Sequence, residues 1–187
     1  HCLLRRQRQM CIRDRLKAMD TDIQKILTAV PGVYMRTEEG YGLRPNISIR
    51  GTAIERSGKV TIMEDGVLVA PSPYTSSSAY YFPTTGRIHS VEVLKGPAAV
   101  SQGPQTIGGA INLISTPIPN APSGKFVQEL GENGMMRTHA YYGGTSGNFG
   151  ALVEVHEHES DGFDSIANVG GDTGFDKSDL MVKARYE

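Results

Sequence analysis

The sequence predicts an α+β domain, a small mixed sheet with short helices, followed by a run of antiparallel strands. Three observations carry this expectation. Short segments of alternating apolar and polar residues recur along the first two thirds, each closed by Gly, Pro, Asn or Asp. Only residues 23–30 show a clear helical period there. Beyond Pro117, Pro119 and Pro122 the pattern changes to alternating segments separated by Gly, Asn, Asp and Ser. The composition agrees: 22 Gly and 10 Pro among 187 residues is a turn-rich balance. With 39% hydrophobic and 21% charged residues and a net charge of -1, the chain is neither an acidic disordered tail nor a collagen-like repeat. No apolar run approaches the roughly 20 residues of a transmembrane helix.

The elements follow in chain order. Residues 1–17 carry five Arg and Lys17 against Asp14 alone, a net +5 that leaves -6 for the rest. Both cysteines, Cys2 and Cys11, lie in this stretch, with no His cluster beside them. No apolar core of about 7–15 residues follows, so the segment does not read as a signal peptide. A basic arm for nucleic acid is the alternative. Residues 1–17 are expected to be a non-native or disordered segment outside the fold, with no nucleic-acid partner. Thr21 and Asp22 can cap a helix whose apolar positions are Ile23, Ile26, Leu27 and Val30, ended by Pro31-Gly32. Strands are expected at 33–35, 46–50 and 59–63. Asp65-Gly66 is a hairpin signal before 67–69. Residues 71–83, rich in Ser, Tyr and Pro, read as a loop. A strand over 88–94 places Val91 and Val93 on one face, a short helix follows over 97–100, and residues 107–114 end in an apolar strand. The proline linker places a domain boundary near residue 120.

Four further strands are expected at 126–130, 137–142, 151–158 and 180–186. In the last, Leu180, Val182, Ala184 and Tyr186 share one face and Met181, Lys183, Arg185 and Glu187 the other. In 151–158, Val153 and Val155 oppose Leu152, Glu154, His156 and His158. A soluble sandwich and a transmembrane β-barrel both produce such alternation, and the pattern alone leaves them open.

Four stretches have a specific order and spacing: Ile49-Arg50-Gly51, Met63-Glu64-Asp65-Gly66-Val67, Val91-Glu92-Val93-Leu94-Lys95-Gly96-Pro97, and the run Gly103-Pro104-Gln105-Thr106-Ile107-Gly108-Gly109-Ala110-Ile111-Asn112. With Val30-Pro31-Gly32-Val33 upstream, the chain resembles the plug domain of TonB-dependent outer-membrane receptors over about residues 20–187. Tyr41-Gly42-Leu43-Arg44-Pro45 and the loop from Pro71 to Pro83 look most like the ferric-citrate receptor branch.

The resemblance implies an α+β plug domain over residues 18–120 and the first antiparallel strands of a truncated transmembrane β-barrel over 121–187. It implies a Gram-negative outer-membrane location, in contact with lipid, and uptake of a ferric siderophore, ferric citrate among them. The energy would come from the inner-membrane TonB complex. It implies no cofactor, no resident metal and no enzymatic activity. Cobalamin, a saccharide or another metal chelate are the alternative cargoes. No TonB box is recognisable before the plug, and about four wall strands cannot close a barrel. The chain is therefore expected to be a fragment whose function belongs to the parent protein.

Candidate residues follow from chemistry and resemblance together. The 71–83 loop is expected at the extracellular tip of the plug, where Tyr74, Ser76, Tyr80 and Tyr81 offer hydroxyls and aromatic faces. Arg44 is expected to meet an anionic ferric chelate through bidentate bonds, and Gln105 to reach the same side from another turn. A plain surface loop is the alternative reading. Arg50, Glu92 and Lys95, at or near strand ends, are expected to pair with charges on the inner barrel wall; ordinary strand-end solubility is their alternative. Glu154, His156 and His158 lie two residues apart on one strand face, a spacing able to chelate metal. A polar barrel interior carries such residues anyway, and no metal site is expected. No phosphate loop or nucleophile elbow is present in the sequence. A soluble β-rich metal enzyme built on His139, His156 and His158 remains the rival of a different class.

Overall fold

The computed structural model describes residues 9–12, 23–37, 43–69, 81–162, 165–166 and 171–187. The chain divides into two compact units between Thr116 and Pro117, where the proline linker begins.

Among the described residues the first unit is a mixed sheet with one α-helix and short 3-10 turns. Helix α1 spans Ile23–Leu27 and buries Ile23, Ile26 and Leu27, the residues its period selects. Val30 is buried as well. The expected caps, Thr21 and Asp22, lie outside the described residues. Strand β1 is Gln9–Ile12, β2 Val33–Thr37, β3 Pro45–Ile49, β4 Val60–Glu64, β5 Val67–Leu68, β6 Ile88–Lys95 and β7 Gly109–Ser115. The main sheet runs β1-β6-β7-β4-β5, while β2 and β3 form a separate two-stranded sheet. β4 and β7 are parallel, from Val60↔Gly109 to Glu64↔Leu113, and β6 runs antiparallel to β7. A parallel pair needs a crossover, and residues 65–108 supply it.

β1 differs from expectation. Residues 9–12 belong to the basic head assigned outside the fold, yet their backbone pairs with β6 from Gln9↔Leu94 to Ile12↔Val91. A strand edge exposes unpaired N–H and C=O groups, and an added strand satisfies them.

One apolar cluster joins α1 to the sheet: Ile23, Ile26 and Leu27 pack with Ile47 and Ile49 of β3, Ile62 of β4, Val91 and Val93 of β6, and Ile111 and Leu113 of β7. Burying each such side chain stabilises by about 1.5–3 kcal/mol. The Asp65-Gly66 hairpin is as read: both residues have positive φ, 49° and 83°, and Glu64 faces Val67. This is the geometry of a two-residue turn that matches strand twist.

The second unit is a four-stranded antiparallel sheet in the order β13-β10-β9-β8. Its strands are β8 Ser123–Leu130, β9 Met136–Ser146, β10 Phe149–Ser160 and β13 Phe175–Tyr186. A two-stranded ribbon of β11 (Ser165–Ile166) and β12 (Gly171–Asp172) lies between β10 and β13 in sequence. The strands are longer than the sequence suggested, up to 12 residues. A tilted membrane strand needs about 9–11. Among the described residues no helix is long and apolar enough to cross a membrane, which does not bear on a barrel.

The register sorts the side chains of this sheet into two faces. Phe126, Ala140, Val155 and Leu180 form one continuous row across all four strands; Tyr142, Val153 and Val182 form the next. This apolar face is the open one: Phe126, Tyr142, Leu180 and Val182 are each about two-thirds exposed. The polar face is the covered one. Arg137, Leu152, Glu154, His156 and Ser160 are all buried there. A soluble sheet has the opposite arrangement, and apolar-out, polar-in alternation is that of a membrane barrel wall.

Candidate functional site

Three polar constellations are built by this fold. The first stands where β3 and β6 end. Arg50, just past β3, has φ 57°, and Gly96, just past β6, has φ 80°. A Cβ at Gly96 would lie 3.3 Å from the Arg50 guanidinium, so glycine both permits the turn and leaves room for the cation. The Lys95 ammonium donates to the Pro31 carbonyl. Burial first, and repulsion from Arg50 second, hold its pKa below the usual lysine value. Two cations therefore share one pole of the plug.

Glu92 is set back from that pole. It lies mid-strand in β6, opposite Asn112 of β7, whose side-chain amide donates to its carboxylate at 3.4 Å. The same Asn112 accepts from the Gly66 backbone N–H at 2.9 Å, tying the hairpin to β7.

The second constellation stands where β4 ends. Arg87, only 4% exposed, makes a forked ion pair with Glu64, one arm at 3.2 Å. Its guanidinium also donates to the Tyr81 hydroxyl at 3.2 Å. The Thr116 hydroxyl donates to the Arg87 carbonyl at 3.3 Å. Beside it, Asp65 accepts from the Ser115 backbone N–H at 3.0 Å and from the Ser115 hydroxyl. The end of the 71–83 loop, the hairpin and the last residues of β7 are thus fastened together. Glu64 and Arg87 are 23 residues apart in sequence, and no spacing signal linked them.

The predicted ligand residues are distributed as follows. Tyr74, Ser76 and Tyr80 lie outside the described residues. Tyr81 is half exposed and held by Arg87 at the end of β4. Arg44 is exposed, next to Pro45, whose carbonyl accepts from Ser57 at 3.2 Å in the turn leading into the start of β4. Gln105 has φ 63° and follows Pro104, whose carbonyl accepts from Thr61, the second residue of β4. The bonds around Arg44 and Gln105 thus lead to the first residues of β4, and those around Tyr81 to its last. Thr61 and Glu64 are three residues, about 10 Å, apart along the strand.

The third constellation is the polar face of the second unit. His139 Nε2 and Glu154 Oε1 are 2.7 Å apart. Arg137 pairs with Glu129. The rings of His139 and His156 lie 5.9 Å apart, and those of His156 and His158 6.4 Å apart. Among the described residues no three His, Cys, Asp or Glu side chains converge as a ready metal centre, which the rival metal-enzyme reading requires.

Comparison with known proteins agrees with this architecture. The family model of the TonB-dependent Receptor Plug Domain matches residues 9–110. The vitamin B12 transporter BtuB of Photobacterium profundum is 28% identical over 183 residues, covering 88% of this chain and 29% of its own. The unliganded ferric citrate transporter FecA superposes with a TM-score of 0.73 at 24% identity, covering 95% of this chain and 28% of its own. The ferric yersiniabactin uptake receptor FyuA from Yersinia pestis gives a TM-score of 0.73 at 22% identity, covering 94% and 28%. The chain therefore spans under a third of the length of these relatives. The fold is a plug followed by the opening strands of a barrel wall, and the family model covers more than half of the sequence. The chain belongs to the TonB-dependent receptor plug domain family.

Proposed function

We propose that this chain is the gating plug and first wall strands of an outer-membrane receptor that imports a ferric siderophore, with ferric citrate as the first candidate. The observation that carries the reading is the inverted wall sheet, apolar row outward and charged row covered, directly following a plug-family domain. Such a sheet is stable with lipid on one side and a hydrated, polar interior on the other.

In the parent receptor the chelate binds at the outer face, against the loop bearing Tyr74, Ser76, Tyr80 and Tyr81, with Arg44 and Gln105 as further polar contacts. Arg50, Glu92 and Lys95 pair the plug with the barrel wall. The cationic pole of Arg50 and Lys95 favours carboxylate partners there. The TonB complex then draws on the N-terminal side, and the polar plug–wall contacts rearrange rather than tear a greasy seal. The reaction is transport, not catalysis. The match to a B12 transporter supports a second reading, cobalamin as cargo.

The test is uptake by the intact receptor in cells lacking their own iron and cobalamin receptors. Radio-iron accumulation from ferric citrate, lost in a strain without TonB, is the expected result. Accumulation of labelled cobalamin instead selects the second reading, and uptake of neither, with the receptor present in the membrane, removes both. The substitution Arg44→Ala is expected to lower affinity about tenfold for an anionic chelate, the scale of one charge-assisted contact.

A further inference from the structure

We propose that the polar face of β9 and β10 holds a binding site for a borderline divalent transition-metal ion of the Zn²⁺ or Cu²⁺ kind, gripped by His139 and His156 and braced by Glu154. The site is in the wall and stands independently of the cargo.

Four observations lead there. His139 and His156 are directly opposed in the β9–β10 register, so their side chains leave the same face side by side. Their ring centroids are 5.9 Å apart. Two imidazoles on a tetrahedral ion, each nitrogen 2.0–2.1 Å from the metal, place their ring centres about 5.2 Å apart. The gap to close is therefore under about 1 Å, within reach of small side-chain rotations.

His156 is 2% exposed, and neither of its ring nitrogens has a hydrogen-bond partner. Buried imidazoles ordinarily find one. An ion supplies the partner that the surrounding side chains do not.

His139 is already oriented as a ligand is. Its Nε2 meets Glu154 Oε1 at 2.7 Å, and Glu154 is itself 1% exposed. A carboxylate behind one imidazole nitrogen fixes the tautomer and turns the other nitrogen, Nδ1, toward a metal.

The charges around the face choose between the two ends of the histidine row. His158 is flanked in register by Arg137 on β9 and Lys177 on β13, which repel a dication. His156 is flanked by His139 and Asp179. Arg137 and Lys177 also reach His156, but from one register pair further along the face, so the ion belongs to the His139–Glu154–His156 end, where the Glu154 carboxylate stands. Because no three ligands already converge among the described residues, solvent completes the coordination. Imidazole pairs select borderline ions, and Cu²⁺ binds more tightly than Zn²⁺.

The experiment uses the intact receptor in detergent micelles, titrated with ZnCl₂ and CuCl₂ by calorimetry, with electron paramagnetic resonance of the copper form. One ion per chain and hyperfine splitting from two nitrogens are expected. His156→Gln and His139→Gln should each weaken binding at least about 100-fold, and Glu154→Gln about 10–100-fold. His89→Gln, in the plug, should leave it unchanged. Circular dichroism identifies any variant that fails to fold, and the other histidine variant then carries the test. Absence of binding below millimolar ion, or binding that survives loss of His156 and His139, overturns the proposal.

Discussion

Replacing Arg87 by Met should loosen the plug more than any other single surface-distant charge change. Arg87 is 4% exposed and its partner Glu64 17%, so both ends of the pair are largely out of water. Removing the guanidinium leaves a largely buried carboxylate with its forked partner gone. Breaking a buried pair from one side costs about 3–5 kcal/mol. Arg87→Met also removes the donor to Tyr81. Replacing both partners, Arg87→Met with Glu64→Gln, removes the stranded charge, so the double variant should cost less than the two singles together by about 1–3 kcal/mol. The assay is native-state hydrogen exchange of β4 and β6 in the intact receptor, read by mass spectrometry. A loss of about 3–5 kcal/mol accelerates exchange through plug opening by about two to three and a half powers of ten. If Arg87→Met shifts exchange less than about fivefold, or if the singles add without coupling, the pair does not fasten this end of the plug.

Four further outcomes follow from particular geometry. Gly109→Ala places a Cβ 2.5 Å from the Leu94 carbonyl oxygen and 3.0 Å from Ile49, at φ 150°. Overpacking and backbone strain together should cost about 2–6 kcal/mol, seen as loss of protease resistance in the plug. Leu180→Lys puts a charge on the exposed apolar row. In lipid vesicles it should cost up to about 2–4 kcal/mol in guanidinium unfolding, whereas a gain in stability would mean the row faces water. Lys95 ionises below its ordinary pKa of 10.5. The protonated form is the disfavoured one in the fold, so its cost is present below the folded pKa and is relieved as pH rises through it. Plug stability should therefore rise slightly in the window just below pH 10.5. Arg50→Gln removes the second cause of the shift and should move Lys95 titration upward, measured by pH-dependent amine labelling; no movement would separate the two cations.

Much of the plug was legible because its elements are fixed locally. Asp65-Gly66 adopts positive φ at both positions, which few other residues tolerate. Val91 and Val93 are buried as their alternation requires. β3 was legible as a strand but not in its burial. All five of its residues are covered: Asn46 Oδ1 accepts from the Arg56 backbone N–H and the Ser48 hydroxyl donates to the Thr52 carbonyl, while Asn46 Nδ2 is buried without a partner. The wall strands show a different kind of limit. Alternation reveals that β10 has two faces, but the period is symmetric and does not say which face meets solvent. Only the four-strand register made the apolar row continuous. Arg87–Glu64 was invisible for a simpler reason: it joins residues that only the β4–β7–β6 arrangement brings together. The backbone of Gln9–Ile12 pairs with β6 although a dense run of positive charge surrounds it in sequence, because ladder bonds are indifferent to side-chain charge.

The strand order of the plug also sets how it yields to force. The segment nearest the N-terminal side is the least entangled: β1 lies at the rim of the main sheet. The interior strands β6, β7 and β4 come later in the chain and hold the parallel pair. A pull from the N-terminal side can peel the rim strand one hydrogen bond at a time, but α1 and β3 share the apolar core with the interior strands and pass the load to them. The interior must then be sheared, many bonds at once. The plug is therefore graded in mechanical strength along its sequence, soft where a pull would begin and stiff where the hairpin clasp and the Arg87 fork lie.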